Sequence, residues 1–143
     1  ALMPTVRILD SLAQVPAADW DALDDSGNPF VRHAFLEGLE RHGCLRADWG
    51  WTPRHLTLWE GGRLLAAAPG YLKTNSHGEF VFDHAWANAY ARHGLDYYPK
   101  WLFAVPYSPV TGPRLPSPIW RSSSSRIGVT SAAVPVKKAS SAR

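Results

Sequence analysis

A pair of adjacent glycines, Gly61-Gly62, lies between two apolar segments, and it constrains the fold of this chain more than any other feature. The residues before it, 54–59, and those after it, 63–72, are both rich in strand-forming side chains. Two glycines between such segments are typical of a two-residue β-hairpin turn, because both turn positions need positive φ angles. The sequence therefore predicts a central antiparallel hairpin whose second strand is the more buried.

Further strands and helices surround this hairpin. The pattern predicts strands at 6–9, 79–82 and 101–105, and helices over 16–27, 29–43 and 84–93. The second helix has the clearest start, since Asn28-Pro29 supplies a cap and a first-turn proline. The order β-α-α-β-β-β-α-β predicts an α/β (α+β) fold, with a mixed sheet flanked by helices.

Composition changes abruptly after residue 115. Residues 1–115 hold ten Lys/Arg and twelve Asp/Glu, a balance of −2, whereas residues 116–143 hold five basic residues and no acid, a balance of +5. The second segment also has eight serines and few apolar residues, which predicts a disordered Ser/Arg-rich tail behind a folded unit of residues 1–115. A frameshift or a truncated gene is one explanation for the change, and a linker is the other. Because the tail carries the excess charge, we expect no specific nucleic-acid binding by the domain.

Several classes of protein are excluded or disfavoured. The longest apolar run, 64–69, is far shorter than the ~20 residues that cross a bilayer, and no secretory signal is recognisable. The single cysteine excludes an internal disulfide and a cysteine-rich zinc module. The histidines lack metal-ligand spacing and are interpreted as surface residues, so no metal is expected. These features predict a protein of the bacterial cytoplasm.

Short blocks spread over residues 4–115 resemble the FemAB-like branch of the GNAT N-acetyltransferase superfamily, which is associated with peptidoglycan. The blocks are WTPRH (51–55), APGYLK (68–73), SHGEFVFD (76–83), YYPK (97–100) and VPYSPVTG (105–112). The resemblance implies a GNAT-type fold and transfer of an acyl or aminoacyl group to an amine. It also implies acetyl-CoA or another acyl donor, and an amine-bearing small molecule or cell-wall precursor as acceptor.

The chain departs from this family in two respects. Members contain two GNAT-like halves, and this chain resembles only the N-terminal one. The Q/R-x-x-G-x-G/A loop, whose backbone amides would hold the CoA pyrophosphate, is not found. We therefore expect the donor site to lie in the missing second half and this truncated chain to be inactive alone. The alternative is a non-catalytic half-domain that binds a small ligand or a partner.

The resemblance also suggests site residues. Removal of a proton from the acceptor amine requires a base, for which the candidates are Glu79, Asp83 and His84. The candidates for substrate binding are Trp86, Tyr97 and Tyr98, which would form a stacking wall, and Lys100, which would bind a carboxylate or phosphate. Structural alternatives stay open: Asp83 caps a helix, Lys100 is solvated, and the aromatic rings pack between sheet and helix.

Overall fold

The computed structural model describes residues 3–75, 77, 84–107 and 132–135, with the backbone alone at 132–135, His84 and Trp86. The strands are Thr5–Leu9 (β1), Trp51–Pro53 (β2), His55–Glu60 (β3), Arg63–Ala68 (β4), Gly70–Lys73 (β5), Lys100–Phe103 (β6) and Ala132–Pro135 (β7). The helices are Ala17–Asp21 (α1), His33–Arg41 (α2) and His84–Arg92 (α3). The predicted α+β class is confirmed. The paired strands are antiparallel and fall into two sheets, ordered β1-β3-β4 and β2-β5-β6-β7.

The predicted hairpin is confirmed, and it extends through both sheets. Strands β2 and β3 run along one arm, and β4 and β5 run along the other. Pro53 lies opposite Tyr71 on one side of the break, and Leu56 lies opposite Ala68 on the other, so the register is continuous. The prediction missed the interruption at Pro69, where an absent N–H removes one donor from the ladder. This interruption divides the hairpin between the two sheets.

One face of the first sheet packs on the helices. Along β3 the side chains alternate between buried and half-buried positions, as a strand with one covered face requires. The core between the first sheet and the helices contains Leu12, Trp20, Leu36 and Trp59. A smaller core in the second sheet is built around Trp51, Tyr71 and Leu102. On the outer face of the edge strand β1, Val6 and Ile8 remain 61% and 55% exposed.

Two helix boundaries differ from the prediction. The helix expected from Asn28-Pro29 begins at His33, and Pro29–Val31 form a separate 3-10 turn capped by the Asn28 side chain. The break follows from Arg32, whose extended backbone (ψ 144°) ends the turn before the helix starts. The first helix ends at Asp21 rather than near residue 27. Helix α3 confirms the third predicted helix, whereas the strand predicted at 79–82 lies outside the described residues.

The described helices are short. None of them has both the length and the apolar character needed to cross a bilayer.

Candidate functional site

Three side chains form a cross-strand row on the inner face of the second sheet. Trp51 on β2 lies opposite Lys73 on β5, and Lys73 lies opposite Lys100 on β6. Lys73 is 0% exposed and Lys100 is 1% exposed, so both ammonium groups are enclosed by protein. We call Trp51, Lys73 and Lys100 the lysine row. Lysine is almost never fully buried without compensating contacts, and two of them side by side indicate a specialised environment.

Aromatic rings and a carbonyl group surround the two ammonium groups. The Nζ atom of Lys73 lies 3.8 Å from the centroid of the Trp51 ring and donates a 2.8 Å hydrogen bond to the carbonyl oxygen of His77. The Nζ atom of Lys100 lies 5.3 Å from the Tyr97 centroid and 5.5 Å from that of Tyr98. These distances are within the range of cation–π attraction, which stabilises a desolvated cation.

Partly exposed tyrosine rings lie beside both Lys100 and Trp51. At the Lys100 end, Tyr97 and Tyr98 are half-buried and contact each other edge to face. At the other end, the Tyr107 ring lies 5.2 Å from that of Trp51 and is 41% exposed. Tyr107 donates a 3.0 Å hydrogen bond to the carbonyl oxygen of Cys44, and partial burial and then Cys44 raise its pKa.

A buried polar network lies beside the row, where the two sheets meet. The Nδ1 atom of His55 accepts a 3.2 Å hydrogen bond from the Gly70 amide, so its Nε2 atom carries the hydrogen and donates to Glu40 at 2.5 Å. The other carboxylate oxygen of Glu40 accepts from the Leu12 amide at 2.9 Å and from the Ser11 hydroxyl at 3.1 Å. Both nitrogens of His55 are thus engaged, and the residue joins strand to helix rather than facing a ligand.

The backbone at this joint is closely packed. The Gly70 amide donates its hydrogen bond to the His55 side chain rather than to the carbonyl of Arg54. The Arg54 carbonyl accepts a 2.8 Å hydrogen bond from the indole N–H of Trp101. A Cβ atom at Gly70 would lie 2.4 Å from the Arg54 oxygen and 2.7 Å from that indole nitrogen. Only glycine fits there, so the path of β5 into the lysine row depends on this residue.

Tyr71 lies between the network and the row. Its ring contacts Trp51 and His55 edge to face, with centroids 5.4 and 5.3 Å away. Its hydroxyl is fully enclosed and makes no hydrogen bond to any described residue. Burial raises the pKa of this hydroxyl, and the nearby charge of Glu40 raises it further. Tyr71 therefore stays neutral in the folded protein.

The structure brings together three of the predicted site residues. Tyr97, Tyr98 and Lys100 are in contact, and the alternative of a solvated Lys100 is wrong because its side chain is buried. Two of the other candidates, Glu79 and Asp83, lie outside the described residues. His84 and Trp86 lie in the first turn of α3, where only their backbone is described.

Sequence reasoning missed Lys73 and Trp51 as site residues. Counting outward from a regular Gly61-Gly62 turn places Glu60 opposite Arg63, as observed, and would place Trp51 opposite Leu72. An irregularity between Leu58 and Trp59 shifts the register by one residue, so Trp51 lies opposite Lys73 instead. Knowledge of this bulge would have allowed the lysine row to be predicted. The pattern of apolar residues in the sequence does not indicate that a bulge forms there.

The expectation that the histidines are surface residues is wrong for two of them. His33 is 8% exposed and donates from Nε2 to the Leu12 carbonyl at 2.7 Å, and His55 is 0% exposed. The part of the chain that the structure describes contains no group of three or more His, Cys, Asp or Glu that could hold a metal ion.

The acyl-CoA donor implied by the resemblance can be tested against α2. A CoA pyrophosphate needs unoccupied amides at a helix N-terminus. There, the His33 amide donates to the Asp21 carboxylate at 2.9 Å, and the same carboxylate lies 3.9 Å from the Arg32 guanidinium. A pyrophosphate would meet this negative charge directly, so the N-terminus of α2 does not fit it.

The chain was compared with known protein families, curated proteins and solved structures. Residues 11–139 match the FemAB-like family, which is described as peptidoglycan biosynthesis/recognition. The match continues across residue 115 and includes β7. No curated protein and no solved structure matches the chain. Because the match covers most of the sequence, this chain belongs to the FemAB-like family.

Proposed function

We propose that this protein is part of a bacterial cytoplasmic transferase that moves an acyl or aminoacyl group onto the amine of a peptidoglycan precursor. The FemAB-like match supports this reaction class. The observation that carries the assignment to this chain is the contact of Lys100 with Tyr97 and Tyr98. A buried cation beside two half-exposed rings suits an acceptor that carries both a negative charge and a flat or sugar-like group.

The proposed step forms a bond between the acceptor nitrogen and the acyl carbon. The bond from that carbon to the donor's leaving group breaks, the leaving group keeps the electron pair, and the nitrogen loses a proton to a base. Glu79, Asp83 and His84 stay the candidates for this base. We expect the donor to bind in the second GNAT-like half that the resemblance implies, and the chain alone to bind acceptor without transferring.

Saturation-transfer NMR on the 143-residue chain tests the acceptor assignment. The probe is a nucleotide-linked N-acetylmuramoyl peptide with a free side-chain amine. We expect saturation transfer to this probe, and affinity at least tenfold weaker in Lys100→Met. The matched control is Arg92→Gln, which removes an exposed cation from α3 and should leave affinity within twofold. A folded wild-type sample that gives no transfer to the probe would refute the proposal.

A second candidate function is ligand binding without catalysis. Among the described residues, Lys100 contacts Tyr97 and Tyr98, which suit ligand binding, whereas the candidate bases Glu79 and Asp83 lie outside the described residues. Mass spectrometry of the acceptor separates the two functions. After incubation with acyl donor and the second half of a FemAB-like protein, a mass gain supports transfer, and an unchanged mass supports binding alone.

A further inference from the structure

Trp49 is a large aromatic residue that the fold leaves exposed. It ends the 3-10 turn Ala47–Trp49 and is 51% exposed, whereas Trp51, two residues later, is 1% exposed. Tryptophan is highly buried on average in folded proteins, so this degree of exposure is unusual. An exposed apolar side chain is not in itself a binding site, and the argument for one depends on how the neighbours of Trp49 hold its ring.

The backbone around Trp49 is fixed so that the ring stays outside the core. The carbonyl oxygen of Arg46 accepts from the Trp49 amide at 3.0 Å and from the Trp51 amide at 2.9 Å. Between these two residues, Gly50 adopts a left-handed conformation (φ 83°), and the side chain of Asn75 occupies the space that a Cβ atom would need. Because Trp51 fills the core of the second sheet, this arrangement holds Trp49 at the surface.

A charged pair covers one face of the Trp49 ring. The guanidinium of Arg46 lies over this face, 4.8 Å from the ring centroid. Its Nε and Nη2 atoms donate to the two carboxylate oxygens of Asp48, at 3.0 and 2.6 Å. A bidentate pair of this kind holds the planar guanidinium in one orientation. The exposed part of Trp49 therefore lies away from this pair.

A ring that is held in place and has an exposed face suits a ligand that stacks. The face of an aromatic ring is the negative side of its quadrupole, so it attracts the weakly positive C–H groups of a sugar ring. Because the backbone of Trp49 and the guanidinium are already fixed, little conformational freedom is lost when a ligand binds.

The polar groups beside the ring favour a neutral saccharide over a charged ligand. The charges of Arg46 and Asp48 cancel, so the pair offers no net attraction to a phosphate group or a nucleic-acid backbone. Hydrogen bonds from Arg46 lower the pKa of Asp48, which therefore accepts hydrogen bonds as a carboxylate at neutral pH. The guanidinium has further N–H groups besides the two that bind Asp48. Since a hydroxyl group both donates and accepts, the hydroxyls of a sugar can bind both side chains.

We propose that Trp49, Arg46 and Asp48 form a binding platform for a neutral saccharide. One sugar ring stacks on the exposed face of Trp49, and its hydroxyl or N-acetyl groups bond to Arg46 and Asp48. The platform lies just before β2 and does not include Lys100, whose contacts carry the proposed function. Saccharide binding here does not depend on transfer to an amine, so the two can be tested separately.

NMR titration of the 143-residue chain with ¹⁵N-labelled tryptophan tests the platform, with chitotriose and uridine as probes. The indole N–H signal that disappears in Trp49→Phe identifies Trp49. We expect a saturable shift of this signal with chitotriose, and at least fivefold weaker binding of uridine. An unchanged Trp49 signal at the highest soluble concentration of chitotriose would overturn the proposal. Uridine that binds as tightly as chitotriose would overturn the saccharide assignment.

Substitutions at the platform test the role of each side chain, with chitotriose binding measured by saturation transfer to the sugar. Trp49→Ala should weaken binding at least fivefold, whereas Trp49→Phe keeps an aromatic face and should stay within threefold of wild type. Arg46→Ala should also weaken binding at least fivefold, because it removes a donor and uncovers the fixed face of the ring. Full affinity in Trp49→Ala would overturn the proposal.

The matched control is Leu95→Ala, which removes another exposed apolar side chain, 59% exposed and outside the platform. It should leave chitotriose affinity within twofold of wild type. Because Trp49 and Leu95 are both at the surface, we expect both alanine variants to fold, and the remaining indole signals check this directly. Equal weakening in Leu95→Ala and Trp49→Ala would show general apolar contact rather than a platform, and the proposal would be wrong.

Discussion

The Nε2 atom of His55 lies 2.5 Å from an oxygen of Glu40, and this contact ties strand β3 to helix α2 at the joint between the two sheets. His55 is fully buried and the Glu40 side chain is only 10% exposed. The same carboxylate satisfies the backbone amide of Leu12. Removal of either partner would leave buried polar groups without hydrogen bonds, which is costly.

We expect Glu40→Ala to destabilise the fold strongly. The substitution removes the acceptor for His55 and for the Leu12 amide, so a loss of about 3 kcal/mol or more is expected. Urea denaturation measures the free energy of unfolding. The control, Glu37→Ala, removes a carboxylate of the same helix that pairs with the exposed Arg41, and should cost about 0.5 kcal/mol or less. Equal losses of unfolding free energy in the two variants would show that the buried network stabilises the fold no more than the exposed ion pair does.

His55 should be found as the Nε2–H tautomer. Its Nδ1 atom accepts from the Gly70 amide, which leaves the ring hydrogen on Nε2, facing Glu40. Two-bond ¹H–¹⁵N correlation spectra near neutral pH distinguish the two tautomers. The exposed His42 serves as an internal reference for an unconstrained ring. A hydrogen found on Nδ1 would contradict the hydrogen bond to Gly70.

Gly70→Ala should disrupt the joint. The new Cβ atom would lie 2.4 Å from a backbone oxygen of Arg54, which cannot move without breaking the strand pairing, so a loss of about 3 kcal/mol is expected. The matched control is Gly38→Ala in α2, where no atom lies within 4 Å of the added methyl group. Because alanine favours a helix, this control should gain about 0.5–1 kcal/mol. Thermal or urea unfolding of both variants tests the pair, and a neutral Gly70→Ala would contradict the packing.

Tyr71→Phe should stabilise the protein at neutral pH. The hydroxyl is enclosed and makes no hydrogen bond to a described residue, so its removal should gain about 1 kcal/mol by relieving a desolvation cost. The measurement is the midpoint of urea unfolding at pH 7. A loss of about 1 kcal/mol or more would mean that the hydroxyl has an acceptor in solution, such as a bound water molecule.

The same variant should change the response to alkaline pH. In the folded protein the pKa of Tyr71 is raised above its ordinary value near 10, by burial first and then by Glu40. The neutral form is therefore favoured by folding, and this contribution is complete below pH 10 and is lost as pH rises further. Wild type should lose about 1.4 kcal/mol per pH unit more than Tyr71→Phe between pH 10.5 and 11.5. Parallel stability curves over that range would contradict the burial of this hydroxyl.

Much of the local structure could be predicted from the sequence. The Gly61-Gly62 turn, the first strand (predicted over 6–9) and helix α3 (predicted over 84–93) each depend on signals within a few residues. Each was predicted to within one residue of its observed bounds. Tyr97, Tyr98 and Lys100 could be proposed together because they are close in sequence. The burial of Lys100 could not be predicted, since it depends on contacts with strands far away in the chain.

The sequence by itself determined that a hairpin forms at Gly61-Gly62, because both glycines adopt the positive φ that the turn requires (55° and 81°). Only the tertiary structure decided which residues face each other along it. The register shift between Leu58 and Trp59 moves the pairing by one residue. Since alternate side chains of a strand point to opposite faces, that shift places Lys73, rather than Leu72, beside Trp51. The lysine row thus follows from a bulge that packing selects, and no local pattern of residues encodes it.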